Sequence, residues 1–251
     1  MSFSLSAAGV QVVLLDIEGT TTPADFVYKT LFPFARERLR AYLERVLPID
    51  AEIKAAVDEL HEQRDEEAAT GQRAPDWLDE PAAARLRSAV AYAHWLMDQD
   101  RKSRPLKVIQ GKIWEEGYRG GMLHGEVYPD VPVALRRWIA LGARVGIYSS
   151  GSVLAQRLLF AHSMAGDLTP LVEWHFDTSV GAKMEAASYQ RIAEAVPASP
   201  AGILFISDVP KELDAARAAG WQTLLCVRPP GERPADAGGY PVIHTFDEVL
   251  A

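Results

Sequence analysis

Two acidic residues follow an apolar run near the start of the chain. Residues 12–15 lead directly into Asp16, and Glu18 and Gly19 come two and three positions later. Carboxylates placed so close to a core need water or a cation to offset their charge. Such a pair can hold a divalent cation, and one member can act as a nucleophile or as a general acid and base. Gly19 allows the sharp turn that must carry the chain away from the strand.

Other polar residues follow other apolar runs in the same way. Ser149 and Ser150 come after one run, Asp208 comes after another, and Lys183 ends the segment SVGAK behind a third. In open parallel sheets, ligands bind beyond the carboxyl ends of the strands. We therefore expect these side chains to meet Asp16 at one edge of a sheet.

Together these residue types indicate phosphoryl transfer. Two carboxylates from different strands can hold Mg²⁺, and one of them can attack phosphorus to form an aspartyl-phosphate. A lysine, serine hydroxyls and a helix N-terminus can neutralise and hold the phosphate oxygens. Taken singly, each residue also has a structural interpretation as a turn former, a helix cap or a solvated surface lysine.

The elements that must position these residues alternate between strands and helices. Largely continuous apolar runs, which are typical of strands buried on both faces, predict strands at 10–17, 143–150, 202–209 and 222–229, and weaker ones at 172–179 and 241–246. Helical patterns lie between them, and one ends at Gly220. The alternation predicts an α/β fold with a doubly wound parallel sheet, Rossmann-like in type.

One long interval interrupts this alternation. Residues 23–125 are mostly helical in pattern and contain no strand of comparable quality. A crossover between neighbouring strands does not need so many residues. We therefore predict an all-helical domain at 23–125, inserted into an α/β core made of residues 1–22 and 126–251.

Composition restricts the class of protein. Of the 251 residues, 48% are hydrophobic and 24% charged, which is typical of a soluble globular chain, and the net charge is −8. We expect no nucleic-acid partner and no membrane partner. We expect the single cysteine, Cys226, to be a small core residue. Because the sequence shows no possible disulfide, no leader sequence and no long apolar run, we expect the protein in the cytoplasm.

The four motifs resemble those of the haloacid-dehalogenase superfamily. DIEGT resembles its first motif, usually D-x-D-G-T; YSS resembles the second; Lys183 matches the third and ISDVPKEL the fourth. All four occur in the expected order, and the helical insertion is similar to that superfamily's cap domain. Glu18 stands where Asp is usual, and DIEGTTTPADFVYKTLFPFA, YSSGSVLAQRLLF and FISDVPKELDAA narrow the resemblance to the enolase-phosphatases of methionine salvage.

This resemblance implies an activity. Those enzymes enolise the phosphorylated diketone 2,3-diketo-5-methylthiopentyl-1-phosphate and then remove its phosphate, and they yield the acireductone 1,2-dihydroxy-3-keto-5-methylthiopentene. It also implies one Mg²⁺ per subunit and a monomer. The tail departs from the family pattern after Arg228 and Pro229, with an extra proline and a shifted glycine.

The resemblance also implies roles for the motif residues. Asp16 stands at the position of the nucleophile and Mg²⁺ ligand, and Glu18 at that of the acid and base, which also meets the metal through its backbone carbonyl. Ser149 and Ser150 align with phosphate and substrate contacts. The two remaining positions are Lys183, which aligns with the residue that holds phosphate and steadies the nucleophile, and Asp208, which aligns with the second metal carboxylate.

Several questions remain open at the level of sequence. The enolisation base is Glu18 or a residue of the insertion such as Lys112 or Glu115. Trp114 and Tyr118 either line a pocket for the methylthio tail or pack in the core of the insertion. Glu212 has either an indirect role behind the metal ligands or a surface or helix-cap role. The alternatives to an enolase-phosphatase are a phosphatase for another small ester and a non-catalytic protein that binds a phosphorylated ligand.

Overall fold

The fold was obtained as a computed structural model, which describes residues 2–101, 103–231 and 238–250. It divides into two compact units, one formed by residues 1–27 and 123–251 and the other by residues 28–122. The assignment of residues 23–125 as a cap domain stays a prediction. Part of the divergent tail, residues 232–237, lies outside the described residues.

The first unit is built on a parallel sheet of six strands. In chain order its strands are β2 (Val12–Leu15), β3 (Arg144–Tyr148), β4 (Trp174–Phe176), β5 (Ile203–Ser207), β6 (Gln222–Cys226) and β7 (Val242–Ile243). Their spatial order is β4-β3-β2-β5-β6-β7, and every neighbouring pair is parallel. The predicted doubly wound α/β fold is confirmed. The strands are shorter than predicted because the polar residues at their ends belong to the turns that follow.

A second, very short pairing was not predicted. β1 (Phe3–Ser4) and β8 (Val249–Leu250) form a separate parallel pair. Two residues per strand are too few to produce a readable hydrophobic period.

The described residues of the sheet unit form five α-helices. They are α1 (Ala24–Phe26), α6 (Asp130–Ala140), α7 (Val153–Ala161), α8 (Ala186–Ala195) and α9 (Pro210–Ala218). Strands β2 and β5 are wholly buried, and aromatic residues of the strands and helices pack against one another in the core, among them Tyr148, Tyr189, Phe205 and Trp221. Cys226 is also fully buried, and burial raises the pKa of its thiol to about 12, as suits a core residue.

The second unit contains helices and no strand within its described residues, 28–101 and 103–122. Its helices are α2 (Phe32–Val46), α3 (Ala51–Ala69), α4 (Ala82–Asp98) and α5 (Arg104–Arg119), and a π-helical segment, Val27–Leu31, precedes α2. Asp50 caps α3 by accepting from the N–H groups of Glu52 and Ile53. Within the described residues, none of the helices combines the length and apolar character that crossing a membrane requires.

Candidate active site

The predicted site residues of the sheet unit gather at the carboxyl ends of its central strands. Leu15, the last residue of β2, is in register with Ile147 of β3 and Ile206 of β5. Asp16 therefore emerges at the same level as the ends of both neighbours, and its N–H still donates to the carbonyl of Ile206 at 3.0 Å. On either side of β2 the chain winds in opposite directions, which makes this edge the switch point where ligands bind in such folds.

The carboxylate of Asp16 is held mainly through one oxygen. Oδ1 lies 2.7 Å from the ammonium of Lys183 and accepts from the backbone N–H of Ile17 at 2.8 Å. Oδ2 has a longer contact, 3.4 Å, with the hydroxyl of Ser207. Asp16 is only 4% exposed, so its charge depends on these partners and on any cation that binds. The Oδ2 side keeps the greater freedom to meet a ligand.

Lys183 connects Asp16 to a second buried acid. Its ammonium lies 2.6 Å from Oε2 of Glu212, and that oxygen also accepts from the hydroxyl of Ser207 at 2.9 Å. Both Lys183 and Glu212 are buried. Of the two interpretations open for Glu212, the surface one is wrong. The signal in the sequence was its spacing, one helical turn beyond Asp208.

Charges in this group perturb one another. Burial would lower the pKa of Lys183, but Asp16 and Glu212 outweigh it and raise that pKa, so the ammonium stays charged. Burial, followed by the charge of Asp16, raises the pKa of Glu212 to about 7. The same two causes raise the pKa of Asp208 to about 7, with a further contribution from Glu18. Among the described residues, the acids gathered here carry more negative charge than the ammonium of Lys183 offsets, which favours cation binding.

A tight turn brings Asp208 close to the first motif. The carbonyl of Ile17 accepts from the N–H groups of three residues, Thr20, Thr21 and Thr22, at 2.8 to 3.2 Å. Gly19 has a φ of +69°, and a Cβ there would stand 2.2 Å from Oδ2 of Asp208. Glycine is therefore required twice, for the backbone angle and for the approach of the carboxylate. Glu18, in the same turn, is partly exposed.

The serines follow β3 in a loop that begins α7. The hydroxyl of Ser149 accepts from the N–H of Gly151 at 3.2 Å, which leaves its own hydrogen able to donate to a ligand. Ser150 comes next and is partly exposed, and Ser152 caps α7 through the N–H of Ala155. The structure thus brings Ser149 and Ser150 to the same edge of the sheet as Asp16, at a helix N-terminus suited to an anion.

A buried glutamine that the sequence did not reveal supports this loop. The side-chain amide of Gln156 donates to the carbonyls of Gly151 and Phe176 at 2.9 and 2.8 Å. Its oxygen lies 3.2 Å from Nδ1 of His175. Burial, with a smaller effect of Arg157, lowers the pKa of His175 to about 4, so this imidazole is neutral near pH 7.

The candidates in the helical unit have partners of their own. Lys112 pairs with Glu52 at 2.9 Å, and Glu115 pairs with Arg119 at 2.7 Å. Trp114 is buried and donates from its indole N–H to the carbonyl of Leu31 at 2.8 Å. Tyr118 is also buried. Burial of both aromatic residues agrees with packing inside this unit.

A comparison with protein families identifies the family of this chain. Residues 10–220 match the model of the haloacid dehalogenase-like hydrolases. The enolase-phosphatase E1 of Synechococcus elongatus is 49% identical over 240 residues, which cover 96% of this chain and 98% of the relative. That of Drosophila mojavensis is 44% identical and covers 97% of this chain and 96% of its own length. The chain belongs to the enolase-phosphatase family of haloacid dehalogenase-like hydrolases.

Solved structures agree with this membership. The UTR4 protein of Saccharomyces cerevisiae superposes with a TM-score of 0.74 at 31% identity, over 95% of this chain and 99% of its own. CbbY of Rhodobacter sphaeroides, at 16% identity and a TM-score of 0.52 over 94% of this chain and 95% of its own, shares the fold. As a member of the enolase-phosphatase family, the chain is an enzyme, a phosphatase whose family implies a small phosphorylated substrate.

Haloacid dehalogenase-like phosphatases generally use Mg²⁺, and the residues here fit that ion. Among the described residues, no three His, Cys, Asp or Glu side chains form a group that could hold a metal by themselves. Mg²⁺ needs fewer, because it keeps several waters and takes one or two carboxylates plus substrate phosphate. Asp16 and Asp208 could supply two carboxylates, and a cation would offset both the burial and the charge of Asp16 that raise the pKa of Asp208.

Proposed function

We propose that this member of the enolase-phosphatase family converts 2,3-diketo-5-methylthiopentyl-1-phosphate to the acireductone 1,2-dihydroxy-3-keto-5-methylthiopentene, in the salvage of methionine from methylthioadenosine. The observation that carries the proposal is the buried contact of 2.7 Å between Asp16 and Lys183, with Glu18 two residues from the nucleophile position. The identity of 49% to the Synechococcus elongatus enolase-phosphatase E1 supports the choice of substrate.

Asp16 and Glu18 divide the hydrolysis into two displacements. An oxygen of Asp16 attacks phosphorus, and as this bond forms, the bond from phosphorus to the substrate oxygen breaks. Glu18, protonated at that moment, gives its proton to the departing alkoxide. The Glu18 carboxylate then takes a proton from water, the water oxygen attacks phosphorus, and the bond to Asp16 breaks. Inorganic phosphate leaves and Asp16 is restored.

The remaining residues hold the phosphate and balance its charge. Lys183 keeps its proton beside two carboxylates, so its charge is available to the nucleophile and to the phosphate. The hydroxyls of Ser149 and Ser150, in the loop that precedes α7, are proposed to donate to phosphate oxygens. The carboxylates of Asp16 and Asp208 and the backbone carbonyl of Glu18 would hold one Mg²⁺, which when bound neutralises phosphate charge and polarises the diketone.

Enolisation needs a base that takes a proton next to a carbonyl. Lys112 is poorly suited, since its hydrogen bond and ion pair with Glu52 raise its pKa and keep it protonated. Glu115 is engaged by Arg119. We therefore favour Glu18 as the base. The same residue would then serve enolisation first and phosphate transfer afterwards.

We further propose that residues 23–125 act as the cap that selects the substrate. The enzyme is proposed to work in the cytoplasm as a monomer, with no nucleic-acid or membrane partner. The negative net charge of −8 supports the absence of a polyanionic partner.

The decisive experiment supplies the diketone phosphate and follows two signals. We expect enol absorbance to rise and inorganic phosphate to appear, both dependent on Mg²⁺. Asp16→Asn is the control, because it keeps the shape of the side chain but removes the nucleophile. A higher kcat/KM for an ordinary sugar phosphate would contradict the proposed substrate, and absence of any hydrolysis would favour a binding protein.

A further inference from the structure

Lys183 lies in an irregular segment, although two carboxylates fix the position of its ammonium. Residues 177–185, between β4 and α8, contain neither helix nor strand. The backbone bonds inside this segment are turn bonds of 3.1 to 3.3 Å, such as that from the N–H of Gly181 to Thr178. Contacts from outside this segment must therefore hold the main chain of Lys183, whose ammonium contacts two carboxylates.

Four side chains provide that support. Four consecutive carbonyls, those of residues 180–183, each accept a hydrogen bond from a different side chain at 2.5 to 3.0 Å. We call these four donors the carbonyl clamp. They are Arg191 to Val180, Tyr148 to Gly181, Ser188 to Ala182, and Tyr189 to Lys183.

The two tyrosines of the clamp are themselves firmly placed. Tyr148 ends β3 and Tyr189 lies in α8, and both are fully buried. Their rings meet edge to face, with centroids 5.4 Å apart and an interplanar angle of 80°. The Tyr148 ring also lies 5.7 Å from the ammonium of Lys183. Through these two tyrosines, the clamp attaches the backbone at Lys183 to a strand of the sheet and to a helix.

Gly181 allows the clamp to close on the chain. Its φ is +138°, a backbone angle that favours glycine. A Cβ at this position would stand 2.2 Å from the hydroxyl of Ser188 and from Nη2 of Arg191. The segment can therefore pass beneath these two donors only without a side chain.

We propose that Tyr189 is a positioning residue for phosphate transfer, and that it acts by fixing the backbone of Lys183 through their hydrogen bond of 2.7 Å. It does not touch the substrate. The proposal rests on the phosphate-binding role given to Lys183 under the proposed function. Loss of the Tyr189 hydroxyl lets the main chain of Lys183 shift, and even a displacement of about 1 Å at a reacting centre can reduce rates by about 100-fold.

Tyr189→Phe tests this, because phenylalanine keeps the packed ring and removes only the hydroxyl. The matched control is Tyr92→Phe in α4, which removes another buried hydroxyl, bonded to Glu67 at 3.0 Å. We use para-nitrophenyl phosphate as substrate and inorganic phosphate as competitive inhibitor. We expect Tyr189→Phe to lower kcat by about 10-fold and to weaken phosphate inhibition. Tyr92→Phe is expected to change the melting temperature alone.

Several outcomes overturn the proposal. It fails if Tyr189→Phe leaves both kcat and phosphate inhibition unchanged, or if Tyr92→Phe lowers them equally. Lys183→Met separates the two levels of inference: if that variant still hydrolyses the ester, the role given to Lys183 under the proposed function is wrong as well. If Lys183→Met is inactive while Tyr189→Phe matches the wild type, only the clamp is wrong.

Ser188 offers a second route should Tyr189→Phe not fold. Ser188→Ala removes the donor to Ala182, and Ser188→Thr restores a hydroxyl at the same position. We expect kcat to fall in the alanine variant and to recover in the threonine variant. Equal activity in both variants would contradict the clamp.

Discussion

The ammonium of Lys183 lies 2.6 Å from Oε2 of Glu212 and 2.7 Å from Oδ1 of Asp16. The same oxygen of Glu212 accepts from the hydroxyl of Ser207 at 2.9 Å, and that hydroxyl also lies 3.4 Å from Oδ2 of Asp16. A buried ammonium between two acids has its position fixed from both sides.

Glu212→Gln should therefore weaken activity without abolishing it. The amide oxygen can still accept from Lys183, which retains Asp16 as its charged partner. We expect kcat to fall by about 10-fold, against a loss of at least about 1,000-fold for Lys183→Met, in which phosphate charge is left uncompensated. Steady-state kinetics checks both. Equal loss in the two variants would mean that Glu212 does more than orient the lysine.

Binding of Mg²⁺ should depend on pH through Asp208. Burial and the charge of Asp16 raise its pKa to about 7 in the metal-free protein. Below that pH the carboxyl group is protonated and the metal must displace a proton, so affinity should fall by up to about 10-fold per pH unit. Above it, affinity should level off. Titration calorimetry at pH 6 and pH 8, in buffers of different ionisation enthalpy, measures both the affinity and the released proton.

Asp208→Asn is the control for this titration. It should bind Mg²⁺ more weakly at every pH, and the proton released at pH 6 should disappear. Identical dissociation constants for the wild type at pH 6 and pH 8 would contradict the assignment of Asp208 as a ligand with a raised pKa.

Gly19→Ala should affect catalysis and not only stability. Its φ of +69° strains any other residue, and the added Cβ would meet Oδ2 of Asp208 at 2.2 Å. Gly142→Ala is a matched control, because Gly142 has a φ of +89° and no atom within 4 Å of a Cβ. We expect both variants to lose about 1–2 kcal/mol of stability. Only Gly19→Ala should also bind Mg²⁺ more weakly, as measured by calorimetry; equal metal affinity in the two would argue against the close approach of Asp208.

The general architecture could be predicted from the sequence because the patterns that indicate it are local. Continuous apolar runs predict the strands, and the chain order of Asp16, Ser149, Lys183 and Asp208 places each behind a different one. The parallel sheet then brings these strand ends together. Their catalytic roles stay predictions, but their convergence follows from topology alone.

What the sequence did not reveal depends on contacts between distant residues. Glu212 lies in a helix whose other charges face water, so apart from its spacing from Asp208 the sequence does not distinguish it from a surface acid. Gln156 and the tyrosines of the clamp donate hydrogen bonds to backbone carbonyls. Every residue has such a carbonyl, so the sequence does not indicate which ones are used. Strand ends were overestimated for a related reason, since the polar residues that follow several strands belong to turns that only tertiary hydrogen bonds define.

Arg228 lies just beyond the end of β6, near the turn that follows Asp16. Its Nη1 pairs with Asp130 at 2.6 Å, and its Nε donates to the carbonyl of Thr20 at 2.9 Å, in the turn that follows Asp16. The guanidinium is buried between the rings of Tyr128 and Phe246, 4.3 and 4.5 Å from their centroids. Lysine cannot reproduce this flat, forked geometry.

Asp130→Asn should destabilise the sheet unit by about 3–5 kcal/mol, because it leaves the buried guanidinium without its charged partner. Arg228→Lys should destabilise it less, because the ammonium keeps the charge but cannot make both the contact with Asp130 and the hydrogen bond to Thr20. Urea unfolding of both single variants and of the double variant measures the coupling energy between them. Arg144→Lys is the control, since Arg144 forms an ion pair with Glu173 on the surface of the same unit and its loss should matter far less. If Arg228→Lys and Arg144→Lys unfold at the same urea concentration, the buried pair does not stabilise the turn that carries Glu18.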